Sequence, residues 1–211
     1  MGPMETVTTP LTLPGARVER LVLGELQNNT WIIGSDGDAI VIDPSQDAFI
    51  ILDALSGRTL TAILITHGHH DHIGAARTLS AATGAPVWLH PADRFLWDEQ
   101  HPTPPDADLT HGTEFPLGTL VVRALHTPGH TPGSTSFHVP ALATVFTGDT
   151  LFEGGPGATR WGYSSFPQII DSISANLLGL PPDTLVLTGH GPATTIADEA
   201  ADLDAWVARG W

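Results

Sequence analysis

The chain of 211 residues has no cysteine, which removes thiolate ligands and disulfides from any account of its chemistry and suits a reducing compartment. Basic residues are scarce as well. Eight Lys and Arg against 23 Asp and Glu leave a formal net charge of −15, which opposes binding to nucleic-acid backbones. No apolar run is long enough to span a bilayer, and the start Met1-Gly2-Pro3-Met4 lacks the basic segment and apolar run of a signal peptide. A cytoplasmic protein with a small-molecule substrate, and with neither nucleic acid nor membrane as partner, is therefore expected. Internal repeats and composition breaks are also lacking, and a hydrophobic content of 41% can fill one core. Residues 1–17 are expected to form an N-terminal leader, with Met1-Gly2-Pro3 a cloning remnant before a native Met4. Residues 18–211 are expected to form a single α/β domain.

What the chain does have is histidine at unusual density. In Thr66-His67-Gly68-His69-His70-Asp71-His72, four candidate ligands fall within six residues directly after the apolar, β-rich run Thr61-Ala62-Ile63-Leu64-Ile65. In an extended segment His67 and His69 project to one side and can share an ion. Asp71 and His72 lie beyond the turn, where the helical pattern Ile73, Ala76, Leu79 begins, so one segment can serve two adjacent ions. Imidazole and carboxylate donors without thiolate favour zinc, iron or manganese.

The same design recurs downstream. Val145-Phe146-Thr147-Gly148-Asp149 and Leu185-Val186-Leu187-Thr188-Gly189-His190 each run from a short apolar strand through glycine to a candidate ligand, and Thr127-Pro128-Gly129-His130-Thr131-Pro132-Gly133 carries another histidine. His70, His90, His101, His111 and His138 read as surface or structural residues, and His126 as a core residue or a support behind the ligands.

Strands are expected at Trp31–Ile33, Ala39–Ile42, Ala62–Ile65, Pro86–Leu89, Leu120–Leu125, Ser136–Val139, Thr144–Thr147 and Leu185–Thr188. Helical faces appear at Ala48, Ile51, Leu52 and Leu55 after a Ser45 cap, and at Ile169, Ile170, Ile173, Leu177 and Leu178 with Pro167 near the first turn. Thr195 and Asp198 have capping-box spacing before Leu203, Trp206 and Val207. Trp88, Trp97 and Trp206 are expected to share one packing region.

Taken in order, H-x-H-x-D-H, T-P-G-H-T-P-G, Gly148-Asp149-Thr150-Leu151-Phe152 and Thr188-Gly189-His190-Gly191 resemble the metallo-β-lactamase superfamily, and within it the glyoxalase II-like hydrolases, from about Val18 to Trp206. The resemblance implies a four-layer αββα sandwich, two mixed β-sheets flanked by helices. It implies two divalent ions, Zn2+ first with Fe or Mn as options: His67, His69 and His130 on one, Asp71, His72 and His190 on the other, and Asp149 bridging them. Asp43, after Ala39–Ile42, matches an aspartate that supports the metal loop from behind; a turn residue before Pro44 is the alternative.

His90-Pro91-Ala92-Asp93, Phe152 to Thr159 and Phe166 to Ile173 further resemble a small actinobacterial branch linked to mycothiol-dependent aldehyde detoxification. The implied reaction is hydrolysis of an S-acyl thioester of a low-molecular-weight thiol by a metal-bridging hydroxide, with Asp71 orienting the nucleophile or taking its proton. Longer glyoxalase II enzymes hold glutathione on a basic C-terminal extension beyond the point where this chain ends, so another thiol stands equally as carrier. Arg160, Trp161 and Tyr163, after the glycine-rich run 154–157, are candidates for a substrate pocket. Three alternatives stand beside this reading. A mononuclear iron persulfide dioxygenase would use His69 or His67, His130 and Asp149, although Gly157-Ala158-Thr159-Arg160 replaces that family's G-R-T-D. A lactonase is second, against which Ser134 stands where lactonases commonly have His. A non-catalytic metal-binding module is third, against which stands the full ligand set.

Overall fold

Two extended segments, Asn28–Gly34 and Asp38–Ile42, are buried along nearly their whole length, the pattern of strands covered on both faces. They sit inside a seven-stranded sheet in a computed structural model that describes residues 11–13, 16–35 and 37–210. Its strands follow one another in chain order: β1 Leu11–Leu13, β2 Ala16–Leu23, β3 Asn28–Gly34, β4 Asp38–Ile42, β5 Thr59–Leu64, β6 Val87–Leu89 and β7 Ala107–Asp108. The first four run antiparallel; β4 to β7 are parallel, joined by crossovers that carry α1 Ala48–Leu55, α2 His70–Ile73, α3 Ala76–Thr83 and α4 Arg94–Gln100.

The second sheet is built from β8 Glu114–Leu117, β9 Leu120–His126, β10 Thr135–Val139 and β11 Thr144–Gly148. A short hairpin of β12 Leu151–Phe152 and β13 Gly155–Pro156 follows, then α5 Phe166–Asn176. The strands β14 Leu185–Thr188 and β15 Thr194–Thr195 complete the sheet in the order β15-β14-β11-β10-β9-β8, before α6 Ile196–Ala200 and α7 Leu203–Arg209. Pro116 is tolerated in β8 because that strand is an edge.

Three apolar layers separate these elements. Ile33, Ile40, Ile42, Phe137 and Phe146 fill the space between the sheets, Ile32, Val41, Ile51, Leu79 and Trp97 pack the first sheet on its helices, and Val145, Ile169, Ile173, Val186 and Trp206 pack the second. This is the αββα order expected from the resemblance. The three tryptophans do not share a region: Trp88 borders the central layer, while Trp97 and Trp206 lie in opposite outer ones.

Other expectations change in detail. The sheet begins inside the leader expected over 1–17, since Leu11–Leu13 and Ala16–Leu23 already pair; Met1 to Met4 lie outside the described residues. Strand β2 escaped pattern reading because Arg17, Glu19 and Arg20 interrupt its apolar residues, yet Glu19 is buried and paired with Arg17 and Arg58. Ser45 does not cap α1. Its hydroxyl is buried against Thr30 Oγ1 at 3.2 Å, and Asp47, with φ 54°, stands at the N-cap without a side-chain bond. Ser165 and Thr195 cap α5 and α6 by accepting from Gln168 N and Asp198 N. Among the described residues no helix is long and apolar enough to cross a membrane.

Phe137 is fully buried between the sheets. Phe137→Ala is expected to lower unfolding stability by about 3–5 kcal/mol in a denaturant titration, through lost burial and the cavity left behind.

Candidate metal centre

Five strands of the two sheets end on one side of the sandwich, and each sends a polar side chain into the same small volume. Asp43 follows β4, His67 follows β5, His130 lies beyond β9, Asp149 follows β11 and His190 lies beyond β14. Thr135 N donates to Thr66 O and Asn29 N to Gly189 O across the two sheets, and Gly189 N to Gly148 O within the second, each at 2.8 Å. At Gly148 (φ 50°) a Cβ would strike Thr66 Oγ1, and at Gly189 it would strike Asp149 Oδ1 and His72 Cε1, so glycine at both lets the ligand loops close.

The first trio is His67, His69 and His130, and the second is Asp71, His72 and His190; within each, one donor atom per residue lies within 4.8 Å of the others. His130 Nε2 is 3.0 Å from His69 Nδ1, and His72 Nε2 is 3.2 Å from His190 Nε2. Asp149 sits between the trios, its Oδ1 3.5 Å from His72 Nε2 and its Oδ2 3.6 Å from His130 Nε2 and 3.7 Å from His190 Nε2. Donors held tetrahedrally at 2.0–2.1 Å around one ion stand about 3.3 Å apart, so these separations suit a metal. His67 Nε2 and Asp149 Oδ1 are buried without a hydrogen-bond partner among the described residues, a costly state that an ion would relieve.

Hydrogen bonds on the far ring nitrogens aim the imidazoles. His130 Nδ1 lies 2.8 Å from Ala158 O, His190 Nδ1 3.1 Å from Leu26 O and His72 Nδ1 2.9 Å from Asp43 Oδ2. A proton on each Nδ1 leaves the Nε2 lone pair facing inward. His69 is reversed: its Nε2 is 2.9 Å from Tyr163 Oη, which leaves Nδ1 for the centre.

Asp43 unites the two readings open to it. It ends its strand with φ 50°, a strained conformation for a residue with a side chain, and its carboxylate accepts from Thr66 N at 2.7 Å and Thr66 Oγ1 at 2.6 Å besides His72. Asp43, His67 and His72 also cluster closely enough for a metal, but these bonds occupy Asp43, which marks it as a support rather than a ligand.

Electrostatically the centre divides in two. Burial, with His130 and His72 nearby, pushes His69 down to about 4; burial likewise lowers His67 and His130, so the first trio is neutral at pH 7. Burial also opposes charge on His72, but Asp149 and the Asp43 bond outweigh it and raise His72 to about 9. His190 is raised against burial by Asp71 and Asp149. Asp71 falls well below the usual carboxylate range, because bonds from His190 and Asn28 and the His72 charge outweigh burial.

Asn28 carried no signal in the sequence, and Asp93 only its place in the His90-Pro91-Ala92-Asp93 resemblance. Asn28, at the start of β3, donates to Asp71 Oδ2 at 2.9 Å. Asp93, fully buried after His90-Pro91-Ala92, accepts from Gly68 N at 2.9 Å, Thr131 Oγ1 at 2.7 Å and Gly133 N at 2.6 Å. It thereby ties the loop of His67 and His69 to the loop of His130. Trp161 and Tyr163 lie beside the centre, the Trp161 ring 4.7 Å from His69, while Arg160 lies over Trp161 at 4.9 Å. His70 is exposed, and His126 stacks on His90 at 4.0 Å and bonds Pro132 O, outside the cluster.

Comparison with known proteins gives a consistent picture. The model of the "Metallo-beta-lactamase superfamily" matches residues 23–190. Hydroxyacylglutathione hydrolase GloC of Haemophilus influenzae is 33% identical over 189 residues, covering 82% of this chain and 89% of its own. Among solved structures, BLEG-1 B3 metallo-beta-lactamase is similar with a TM-score of 0.80 and 33% identity, over 89% of this chain and 96% of its own. TTHA1623, solved in a di-iron-bound form, has a TM-score of 0.75 and 35% identity over 86% and 96% of the two chains.

Asp93→Asn places an amide N–H against donors, and is expected to weaken metal uptake at the first trio by about 10- to 100-fold in a chelator competition. The charge division sets a pH dependence. At pH 7 an ion at the first trio displaces no histidine protons, whereas one at the second must displace the proton on His72. The affinity of the second ion should therefore rise between pH 7 and 9 while that of the first stays flat, read by zinc calorimetry in buffers of different ionisation enthalpy.

Proposed function

Since the chain belongs to the metallo-beta-lactamase superfamily, we propose that it is a dinuclear metal-dependent hydrolase that cleaves an S-acyl thioester of a low-molecular-weight thiol. One observation carries the reading: two three-residue donor sets lie side by side with Asp149 between them, and buried donor atoms are left without partners. His67, His69 and His130 would hold one ion, Asp71, His72 and His190 the other, and Asp149 both. Nitrogen and carboxylate donors suit zinc first, and the di-iron form of TTHA1623 makes iron a real option. Bound there, divalent ions supply Lewis-acid activation of water and of a carbonyl oxygen near neutral pH.

The residues of the chain do the rest. Asp71 stays ionised throughout the physiological range, fixed by Asn28, and so can orient a water or accept its proton. Asp43 and Asp93, from opposite sides, hold the ligand loops in register. Trp161 and Tyr163 line the approach beside His69. A thiolate leaves readily and needs little acid catalysis, which favours a thioester as substrate. The name of GloC supports the same class of substrate.

Metal content and thioester hydrolysis together test this. Two zinc, iron or manganese ions per chain are expected, with turnover of small acyl thioesters. His130→Ala and Asp149→Asn should each reduce turnover to background while circular dichroism and the thermal midpoint stay near the parent values, because the three apolar layers lie apart from the ligands. A single iron per chain without thioesterase activity, or full activity in either variant, would overturn the assignment.

A further inference from the structure

Tyr163 is the one tyrosine of the chain, and its hydroxyl lies 2.9 Å from His69 Nε2, across the ring from the Nδ1 that faces the centre. Which of the two donates is fixed by the bonds around them. Ala158 O can only accept, so His130 Nδ1, 2.8 Å away, carries the ring proton, and the neutral His130 keeps a lone pair on Nε2. The 3.0 Å contact from that Nε2 to His69 Nδ1 needs a proton between the two nitrogens, which His69 must supply. His69 is neutral as well, so its Nε2 has the lone pair and the Tyr163 O–H donates to it.

An ion at the first trio takes the lone pairs of His130 Nε2 and His69 Nδ1, and no proton can stay between them. The proton of His69 then sits on Nε2 and donates to Tyr163 Oη. One proton leaves Nδ1 for water and one returns at Nε2, so the ring stays neutral. The hydroxyl hydrogen of Tyr163 is released, and no second hydrogen bond among the described residues takes it up. The phenol ring keeps its place, edge-on to Phe95 at 5.2 Å and parallel to Trp161 at 6.2 Å. With Leu96, Glu99 and Trp161 it lines a pocket of about 300 Å³, at the lower end of the range for small-molecule sites; Arg160, stacked on Trp161, is not part of this lining. The charge of an ion strengthens the His69 N–H as a donor, and a hydroxyl that accepts a stronger bond becomes a better donor in turn.

We infer that ion binding at the first trio reverses the His69–Tyr163 hydrogen bond and turns the Tyr163 O–H into a donor for the substrate, to a carbonyl or carboxylate oxygen remote from the bond that is cleaved. The acceptor is remote because Oη and Nδ1 lie on opposite sides of the His69 ring. That the acceptor belongs to a thioester rests on the hydrolase reading; the reversal rests on the first trio alone.

The single tyrosine makes the reversal readable without assignment, because the intensity ratio of its Raman doublet is low for a phenol that only donates and higher for one that accepts. The ratio is expected to be low in the metal-free protein, to rise in step with uptake of one zinc per chain at pH 7, and to fall again with a chelator. Two uncharged probes then test the released donor: 4-(methylthio)butan-2-one and 2-methyl-4-(methylthio)but-1-ene, which carries C=CH2 in place of C=O. The ketone-to-alkene affinity ratio of the zinc-loaded protein should drop about fivefold in Tyr163→Phe, which keeps the ring, and by the same factor in the metal-free parent. A tyrosine that already accepts before zinc is added, a doublet unmoved by bound zinc, or an unchanged affinity ratio in loaded Tyr163→Phe would overturn the inference. Thioester turnover and zinc content are measured alongside. Reversal without turnover would count against the hydrolase reading alone, turnover with an unmoved doublet against the reversal alone, and failure to take up zinc against both.

Discussion

The carboxylate of Asp43 is the point on which the metal centre turns. It lies at the end of β4 in a left-handed backbone conformation that a side-chain-bearing residue adopts only when its surroundings enforce it. Three hydrogen bonds enforce it here, two from Thr66 and one from His72. Thr66 in turn carries the carbonyl that accepts from Thr135 N, so one buried acid connects the end of the first sheet, the second sheet and a histidine of the centre. Without that carboxylate, the Thr66 N–H and the His72 imidazole would be buried with no acceptor, a state costing on the order of several kcal/mol.

Much of this was legible in the residues themselves. Strand followed by glycine followed by ligand marked Asp149 and His190, and the histidine spacing after Ile65 marked His67, His69, Asp71 and His72, because these patterns are local and the backbone period is two. The strands and helical faces were legible as apolar periods, while the order of the layers came from the family resemblance of the ligand motifs. What escaped were groups whose role depends on partners far along the chain. Asp93 reads as the end of a His-Pro turn, yet its donors belong to Gly68, Thr131 and Gly133. Asn28 reads as the polar start of a strand, and its partner is Asp71. Ser45 looked like a helix cap because it has the right residue type at the right spacing; the buried Thr30 hydroxyl competes for it and wins.

The two halves of the centre are prepared in opposite ways. The first trio is kept neutral by burial, its lone pairs free, whereas His72 in the second holds a proton among carboxylates. Acids packed against imidazoles keep a highly charged cluster stable without an ion. The acids that hold the proton on His72 would attract a divalent cation in its place, one positive occupant for another.

The turn between β2 and β3 has a consequence for how the chain comes into being. Leu26 there receives His190, and Asn29 beside it bonds Thr188 and Gly191, so residues separated by more than 150 positions close the second half of the centre. The first half is complete in sequence at His130. A nascent chain could therefore assemble one nest of donors while its last quarter was still being made, whereas the other can exist only after β14 has docked. Contacts of such sequence separation form late and slowly. Occupancy of the second nest would then record that β14 had been made and had docked on the sandwich.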